Sequence, residues 1–433
     1  MTCPRGRYLF QTAVDRSDGR SDRFRHWRAG IATRNNCPVG LAPRSFEPRA
    51  TAETLFGAEL RARRVAAGLS LRQLAPLVLV SHDLLARIEK AERRPQPDLV
   101  GRLDAVLKTG GRLSRLAAPF TESARLPTRR IELEPDSAEV TLRDLIARVR
   151  AADHTMAAEH LDEVVAYAEA AKQVVLRLAE AHRTSLLRVI AEAQQLVGWM
   201  LFDRGSVALA DKSFVAAKRV AEQAGALDLL AFIGGPNAGF MSTWTGDPAR
   251  GAERAYASLA WARRSGNRRL NAFVSTMAAR AHARLGEADL CRQMLATAEV
   301  ELSRHHPSEP DPVWLEVFDN AALAGHRGSS LLDLGQLQPA ISSLREQDSA
   351  SPAVFVRNRT IWLLEQAEAQ LRIGDQEAAA SSVEEAMNGV SAGSVTPRVL
   401  HMFRSADLKL RTCDGTAVSH VKESLATFIA ECG

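Results

Sequence analysis

The sequence predicts an all-α protein in which an N-terminal helix-turn-helix bundle is followed by an α-solenoid of helical hairpins. The composition favours helix, because Ala, Leu, Arg and Glu dominate and aromatic residues make up only 5% of the 433 residues. Two short amphipathic segments, each preceded by a serine, lie close together between residues 70 and 90. Glycines then recur at nearly constant spacing between residues 205 and 374, each between two helix-like stretches. The first pattern predicts the bundle and the second predicts the solenoid.

Length, charge and proline content divide the chain into four segments. A chain of 433 residues exceeds what one hydrophobic core usually supports. We expect a disordered basic extension over 1–53, a helix-turn-helix domain over 54–118, a proline-marked linker over 119–137 and a helical repeat domain over 138–433. Residues 54–130 hold fifteen lysines and arginines against seven acidic residues, while the whole chain has a net charge of only +5. A basic head on a more acidic body is typical of a protein that binds a polyanion through one domain.

The first 53 residues show neither helical nor strand periodicity. Their first 50 residues contain ten arginines against four acidic residues, interspersed with Gly, Ser, Asp and Pro. Such a composition buries too little apolar surface to fold alone. One interpretation is a basic arm that follows a DNA groove, and the other is a dispensable extension.

Within the helix-turn-helix segment, the apolar residues predict short helices that share one core. Ser70 and Ser81 are N-cap signals for the two central helices. The second of these helices turns Leu84, Leu85 and Ile88 inward, so its opposite face is polar and mostly basic. A basic helix held out from a compact bundle has the geometry that fits a DNA major groove.

The segment LSLRQLA, followed by a three-residue turn and SHDLLARIEKAERRP, resembles the Cro/CI-type (XRE-like) helix-turn-helix domains. The continuation PDLVGRLDAVLKTGGRLSRL is similar to the closing helices of actinobacterial members. The resemblance implies that Glu89 is a structural carboxylate. Together with the basic face, it predicts that the following residues bind DNA: Ser81, His82, Asp83, Arg87, Lys90, Arg72, Arg93 and Arg94. Other arginines expected to reach phosphates are Arg61, Arg63, Arg64 and Arg102.

Four positions depart from the family pattern. Leu71 stands where many relatives place a glutamine that contacts phosphate, and Pro76 removes a backbone donor inside a helix. Leu79 and Ala91 occupy positions where glycine is common. If these residues distort the second helix, the domain serves protein interaction or dimerisation instead. We predict DNA binding, because the outward face stays basic.

An internal repeat organises the chain after the linker. Five glycines recur at intervals of 41, 40, 49 and 39 residues: Gly205, Gly246, Gly286, Gly335 and Gly374. A small residue lies seven positions before each glycine, and another lies five positions after it. Small residues on both sides of a tight turn let two helices of a hairpin cross closely. An inserted loop at 303–313 accounts for the one long interval, and a degraded sixth unit is expected near 396–430.

This pattern resembles tetratricopeptide repeats, although its spacing exceeds the usual length of roughly 34 residues. The resemblance implies a superhelix whose concave face is lined by the first helix of each hairpin. The concave residues predicted to bind a peptide or small-molecule effector are Gln195, Trp199, Phe240, Arg280, Ser329 and Glu368. The alternative for each of them is a place in the core between repeats.

No pattern in the sequence predicts catalysis. Phosphate loops, dinucleotide-binding glycine motifs, nucleophile elbows and metalloprotease motifs do not occur in it. We expect neither a cofactor nor a metal, since the adjacent His305 and His306 have no third ligand nearby. The five scattered cysteines are typical of a cytoplasmic protein. The most apolar stretch, 227–241, is interrupted by glycines and by Pro236, so no membrane span is predicted.

These patterns together predict a cytoplasmic transcriptional regulator that is not an enzyme. We expect it to bind double-stranded DNA as a homodimer, because one head offers too few contacts for useful specificity. A peptide or small ligand in the repeat domain would shift the superhelix between two curvatures and so change the spacing of the two heads. The alternative is a scaffold or adaptor protein whose repeats bind a protein partner while the head is marginal or inactive.

Overall fold

Helices and the turns between them make up the part of the chain that the computed structural model describes. The described residues are 52–121, 131–154, 160–306, 308, 311–350, 355–391 and 394–432, and no strand occurs among them. Apart from Ala52 and Glu53, the predicted basic extension lies outside the described residues. Part of the predicted linker, residues 122–130, lies outside them too. The all-α fold class is confirmed.

Five helices form the head: α1 (Ala52–Ala66), α2 (Leu71–Leu77), α3 (His82–Glu89), α4 (Pro97–Leu107) and α5 (Arg112–Thr121). Both predicted N-caps are confirmed. Ser70 Oγ accepts a hydrogen bond from the backbone N–H of Gln73, and Gln73 Oε1 accepts one from the backbone N–H of Ser70. Ser81 caps α3. Each such cap stabilises a helix by about 1 kcal/mol, which matters because helices this short are unstable alone. All five helices contribute to one core, which includes Phe56, Leu60, Leu74, Leu85, Leu103 and Leu113.

The body begins with α6 (Ala138–His154) and α7 (Leu161–Val175), and six helical hairpins follow. Their bounds are α8 (Glu180–Asp203) and α9 (Val207–Gln223); α10 (Leu227–Phe232), a π-helical segment (Ile233–Gly239), α11 (Phe240–Trp244) and α12 (Pro248–Ser265); α13 (Arg268–Leu285) and α14 (Ala288–Ser303); a 3₁₀ turn (Val313–Leu315), α15 (Asn320–Asp333) and α16 (Leu337–Ala350); α17 (Val356–Ile373) and α18 (Gln376–Asn388); α19 (Pro397–Leu410) and α20 (Thr416–Glu431). The predicted solenoid is confirmed, including its sixth hairpin. In this described part, no helix is long and apolar enough to cross a membrane.

The hairpin turns explain the repeated glycines. All five have a left-handed backbone, with φ between 76° and 98°, a conformation that costs other residues energy. The predicted close crossing of helices is also present. A Cβ atom on Gly251 would lie 2.0 Å from Thr243 Oγ1, and one on Gly198 would lie 2.5 Å from the ring of Phe214. Larger residues at these positions would therefore push the two helices of a hairpin apart.

Candidate functional site

The α3 helix presents a polar face to solvent. Leu85 and Ile88 are buried in the head, whereas Asp83 and Arg87 are exposed and His82 is partly exposed. Ser81 stands at the start of the helix, where its Oγ accepts from the backbone N–H of Leu84 at 3.2 Å. A helix oriented in this way places its N-terminal side chains where base edges can be reached.

Two arginines of the head serve its internal structure. Arg64 donates to both carboxylate oxygens of Glu89, at 2.6 and 2.9 Å, and to the carbonyl of Leu69 at 2.8 Å. Arg102 donates to the carbonyl of Val78 at 3.0 Å. Glu89 thus ties the end of α3 to α1, as the family resemblance implies. Both guanidinium groups are engaged within the head, in contrast to the expectation that they reach phosphates.

The departures from the family pattern leave α2 intact. Pro76 lies within the last turn of the helix, which is helical from Leu71 to Leu77. Leu79 and Ala91 adopt left-handed conformations, with φ of 56° and 59°. These are the positions where relatives favour glycine, so the turn geometry is retained without it. The distortion that would favour a scaffold is therefore not found in α2.

The concave side of the body encloses a cavity. The space that the centre of a water-sized sphere can occupy in it is about 90 Å³. This is room for a compact ligand or one large side chain. The first helices of all six hairpins contribute to its wall, together with α6 and the 3₁₀ turn. Its polar and aromatic lining residues are Arg150, Asp153, Gln195, Trp199, Asn237, Phe240, Arg280, Trp314, His326, Ser329, Arg357, Trp362, Glu365 and Arg398.

The structure brings five of the six predicted ligand-binding residues into this cavity: Gln195, Trp199, Phe240, Arg280 and Ser329. Glu368 does not join them. It lines a separate small cavity and lies 3.2 Å from Lys409 Nζ. Glu365, one helical turn earlier on α17, takes the inward position instead, where it is fully buried and accepts a hydrogen bond from Ser329. Among the predicted ligand-binding residues, Glu368 is thus the one that the structure places outside this cavity.

Buried ion pairs close the superhelix around the cavity. Arg357 on α17 contacts Asp153 of α6 at 2.8 Å and Asp203 of α8 at 2.7 Å. Arg398 on α19 contacts the other oxygen of Asp203 at 2.5 Å. These two carboxylates raise the pKa of Arg357 against the opposing effect of burial. The pairs join helices from both ends of the solenoid beside the cavity.

A π-helical segment forms part of the cavity wall. Pro236 has no N–H for the carbonyl of Phe232 four residues earlier, and Asn237 Nδ2 donates to that carbonyl at 2.8 Å. Asn237 Oδ1 in turn accepts from Gln195 Nε2 at 2.8 Å, and Gln195 Oε1 accepts from Arg150 at 2.9 Å. The buried chain of hydrogen bonds fixes the irregular segment, and π-helical segments of this kind are frequent at functional sites.

Several lining residues were not predicted from the sequence. Trp314, His326, Arg357 and Arg398 lie in parts of their repeats that carry no distinctive motif. Trp314 follows the predicted inserted loop and stacks on Phe232 with ring centroids 4.4 Å apart. A search for tryptophans and arginines on the first helix of each hairpin would have found Trp362, Arg357 and Arg398. No local signal identifies Trp314 and His326.

The comparisons with known proteins concern mainly the head. A family model described as a helix-turn-helix domain matches residues 55–117. Residues 55–117 form a helix-turn-helix domain. None of the curated proteins matches the chain. Among solved structures, the crystal structure of Bacillus thuringiensis PlcR in complex with the peptide PapR7 and DNA is 12% identical, with 86% of this chain and 99% of that chain covered and a TM-score of 0.28. Similarity at that level supports no conclusion about ligands.

One basic edge of the helix-turn-helix domain faces the repeats. Lys90, Arg93 and Arg94 line a cleft of about 550 Å³, together with residues of α9, α11 and α12. Arg94 also pairs with Glu53 at 2.5 Å. The residues predicted to bind DNA thus fall into two groups: Arg72, Ser81, His82, Asp83 and Arg87, which do not line this cleft, and the three that do.

Proposed function

We propose that this chain is a transcriptional regulator that binds specific DNA sequences through its helix-turn-helix domain. The observation that carries the proposal is the polar face of α3, on which His82 and Asp83 follow the capped N-terminus and the exposed Arg87 lies in the last turn. The family match supports a DNA-binding regulatory protein. Ser81 and Arg72 contact phosphates beside the groove, and Arg87 contacts a base edge.

The regulator binds DNA as a homodimer and senses a ligand in the cavity of its repeat domain. Supporting the second role, the α11 helix lies between the cavity and the cleft beside the helix-turn-helix domain. Its Phe240 and Trp244 line the cavity, whereas Met241 and Ser242 line the cleft. A ligand that displaces α11 changes the cleft wall next to Lys90, which links occupancy to DNA binding.

The test of DNA binding is retention of the DNA that flanks the gene, measured against salt concentration, for the full chain and for Arg87→Ala. We expect sequence-specific retention with a steep salt dependence, and a loss of specificity in the variant. Arg264→Ala is the matched control, because it removes an exposed arginine from α12, far from α3 in sequence. Weak retention of any sequence, unchanged in Arg87→Ala, would instead support the scaffold alternative.

The homodimer is tested separately by the mass of the DNA complex in solution. Two chains on one duplex are expected, with half-sites about 34–36 Å or a multiple of that distance apart. One chain bound to a single half-site with full affinity would contradict the dimer while leaving DNA binding intact.

A further inference from the structure

We propose that the cavity binds a ligand with one carboxylate group and a flat aromatic body. This inference rests on the proposed function, since it names the chemical class of the ligand that the repeat domain senses. A free aryl carboxylic acid and a peptide that ends in an aromatic residue share this chemistry.

The first argument is that three buried polar atoms of the cavity-lining residues have no hydrogen-bond partner among the described residues, and that all three are donors. Trp314 Nε1, Arg357 Nε and Arg398 Nη2 are buried and have no hydrogen-bond partner in the described part of the chain. As whole residues, Trp314, Arg357 and Arg398 are only 2%, 6% and 5% exposed. Buried polar atoms are almost always satisfied in native proteins. All three atoms are donors without acceptor capacity, so whatever satisfies them must offer acceptors.

The second argument is charge. The lining holds four arginines against two carboxylates, Asp153 and Glu365. Asp203, just behind the wall, is shared between Arg357 and Arg398. Arg150 donates to the neutral amide of Gln195 at 2.9 Å. Burial lowers the pKa of Arg150 and of Arg398, which shows that their charged forms are poorly solvated. A carboxylate supplies acceptors and negative charge together, whereas a water molecule supplies acceptors but no charge.

The third argument is the shape of the apolar wall. Trp199 and Phe240 stack with ring centroids 6.2 Å apart, and Arg398 lies over the ring of Trp199 at 5.3 Å. Phe232 and Trp314 stack at 4.4 Å. Flat rings pack well against such walls. Because the cavity is small, it admits a compact molecule whole but only the terminal residue of a peptide.

The experiment measures binding to the full chain by calorimetry, with matched acids and amides. The probes are 3-phenylpropionate beside 3-phenylpropanamide, and a tetrapeptide ending in phenylalanine with a free or an amidated C-terminus. We expect each acid to bind at least about tenfold more tightly than its amide, since it loses charge-assisted hydrogen bonds when amidated. Tighter binding of the tetrapeptide acid than of 3-phenylpropionate identifies a peptide as the source, and the reverse identifies a small acid.

Trp314→Phe removes one donor and keeps the ring that stacks on Phe232. It should weaken acid binding by about tenfold and amide binding by less, because the Nε1 donor bonds a charged carboxylate more strongly than a neutral amide oxygen. Trp261→Phe is the control, because Trp261 lies outside the cavity lining, with Lys218 Nζ 4.7 Å from its ring. If Trp314→Phe does not fold, the comparison of acid with amide on the unaltered chain still decides.

The outcomes separate this inference from the proposed function. Equal binding of acid and amide would overturn the carboxylate class but leave ligand sensing in place. If no probe binds, the inference is overturned as well. DNA retention is measured without probes, so its result tests the proposed function independently. Acid binding that is lost equally in Trp314→Phe and Trp261→Phe would show that the probes bind outside the cavity, and would also overturn it.

Discussion

Arg357 and Asp153 form a bidentate ion pair although 204 residues separate them in the sequence. Arg357 Nη1 and Nη2 each lie 2.8 Å from one carboxylate oxygen of Asp153, and both side chains are 7% exposed. The pair joins α6, at the start of the solenoid, to α17, in its fifth hairpin. Together with the contacts of Arg357 and Arg398 to Asp203, this pair ties the last helices of the solenoid to its first ones beside the cavity.

Replacing Arg357 by methionine should destabilise the body by about 3–5 kcal/mol, because Asp153 would stay buried without its bidentate partner and Asp203 would keep only Arg398. Chemical denaturation followed by circular dichroism measures the loss. Arg359→Met is the control. Arg359, which lies on α17 like Arg357, pairs with Glu385 of α18, and the two side chains are 29% and 45% exposed, so its loss should cost at most about 1 kcal/mol. Equal effects of the two variants would show that the buried pair stabilises the body no more than the exposed pair does.

His326 makes the body sensitive to acid. Burial, and to a smaller extent the charge of Arg280, lowers its pKa from 6.5 to about 3. Below pH 6.5 this histidine therefore binds a proton in the unfolded chain but not in the folded chain. Stability falls as the pH drops towards 3. At pH 5 this one group costs about 2 kcal/mol relative to pH 7.5.

His326→Phe should remove that cost and keep ring contacts with Phe240, Phe273 and Trp362. The measurement is the free energy of unfolding at pH 7.5 and pH 5, and the difference between the two should shrink by about 2 kcal/mol. His420→Phe, which removes an exposed histidine on α20, should leave the difference unchanged. A difference that persists in His326→Phe would place the titrating group elsewhere.

Local signals in the sequence predict the helices of the head and the hairpins of the body. Ser70 and Ser81 cap α2 and α3 because each directly precedes an amphipathic segment. Gly205 and the four equivalent glycines mark turns because glycine adopts a positive φ easily. Such signals depend on neighbours within a few residues. For that reason they hold in the structure without any information on tertiary contacts.

The residues that line the cavity could be predicted only in part, because the cavity depends on contacts between residues that are distant in the sequence. Helical periodicity identifies the concave face, yet it does not distinguish Glu365, which lines the cavity, from Glu368 one turn later, which does not. Nothing near Arg357 in the sequence points to Asp153. Pro236 and Asn237 indicate an interruption in an apolar stretch, but only the structure shows that the helix continues through it as a π-helical segment.

Leu79→Gly should stabilise the helix-turn-helix domain. Leu79 has φ of 56°, and its side chain is 78% exposed, so glycine relieves backbone strain and removes little packing. We expect a gain of up to about 1 kcal/mol, since the left-handed conformation costs roughly 1–2 kcal/mol and glycine recovers only part of it. Thermal unfolding of the full chain measures the change. Ala86→Gly, inside α3, should instead destabilise the domain by about 1 kcal/mol, and a stabilising effect there would refute the explanation.

Arg72 and Arg64 should differ in how their loss affects DNA binding. Arg72 on α2 is exposed, so Arg72→Ala should leave stability unchanged and reduce the slope of log binding constant against log salt by about one. Arg64→Ala leaves the carboxylate of Glu89, which is 7% exposed, without its buried partner, and should destabilise the domain by about 3 kcal/mol. Its DNA binding should therefore recover when the domain is refolded by lowering the temperature, whereas that of Arg72→Ala should not. A reduced salt slope in Arg64→Ala under folding conditions would mean that Arg64 itself contacts phosphate, against the geometry found here.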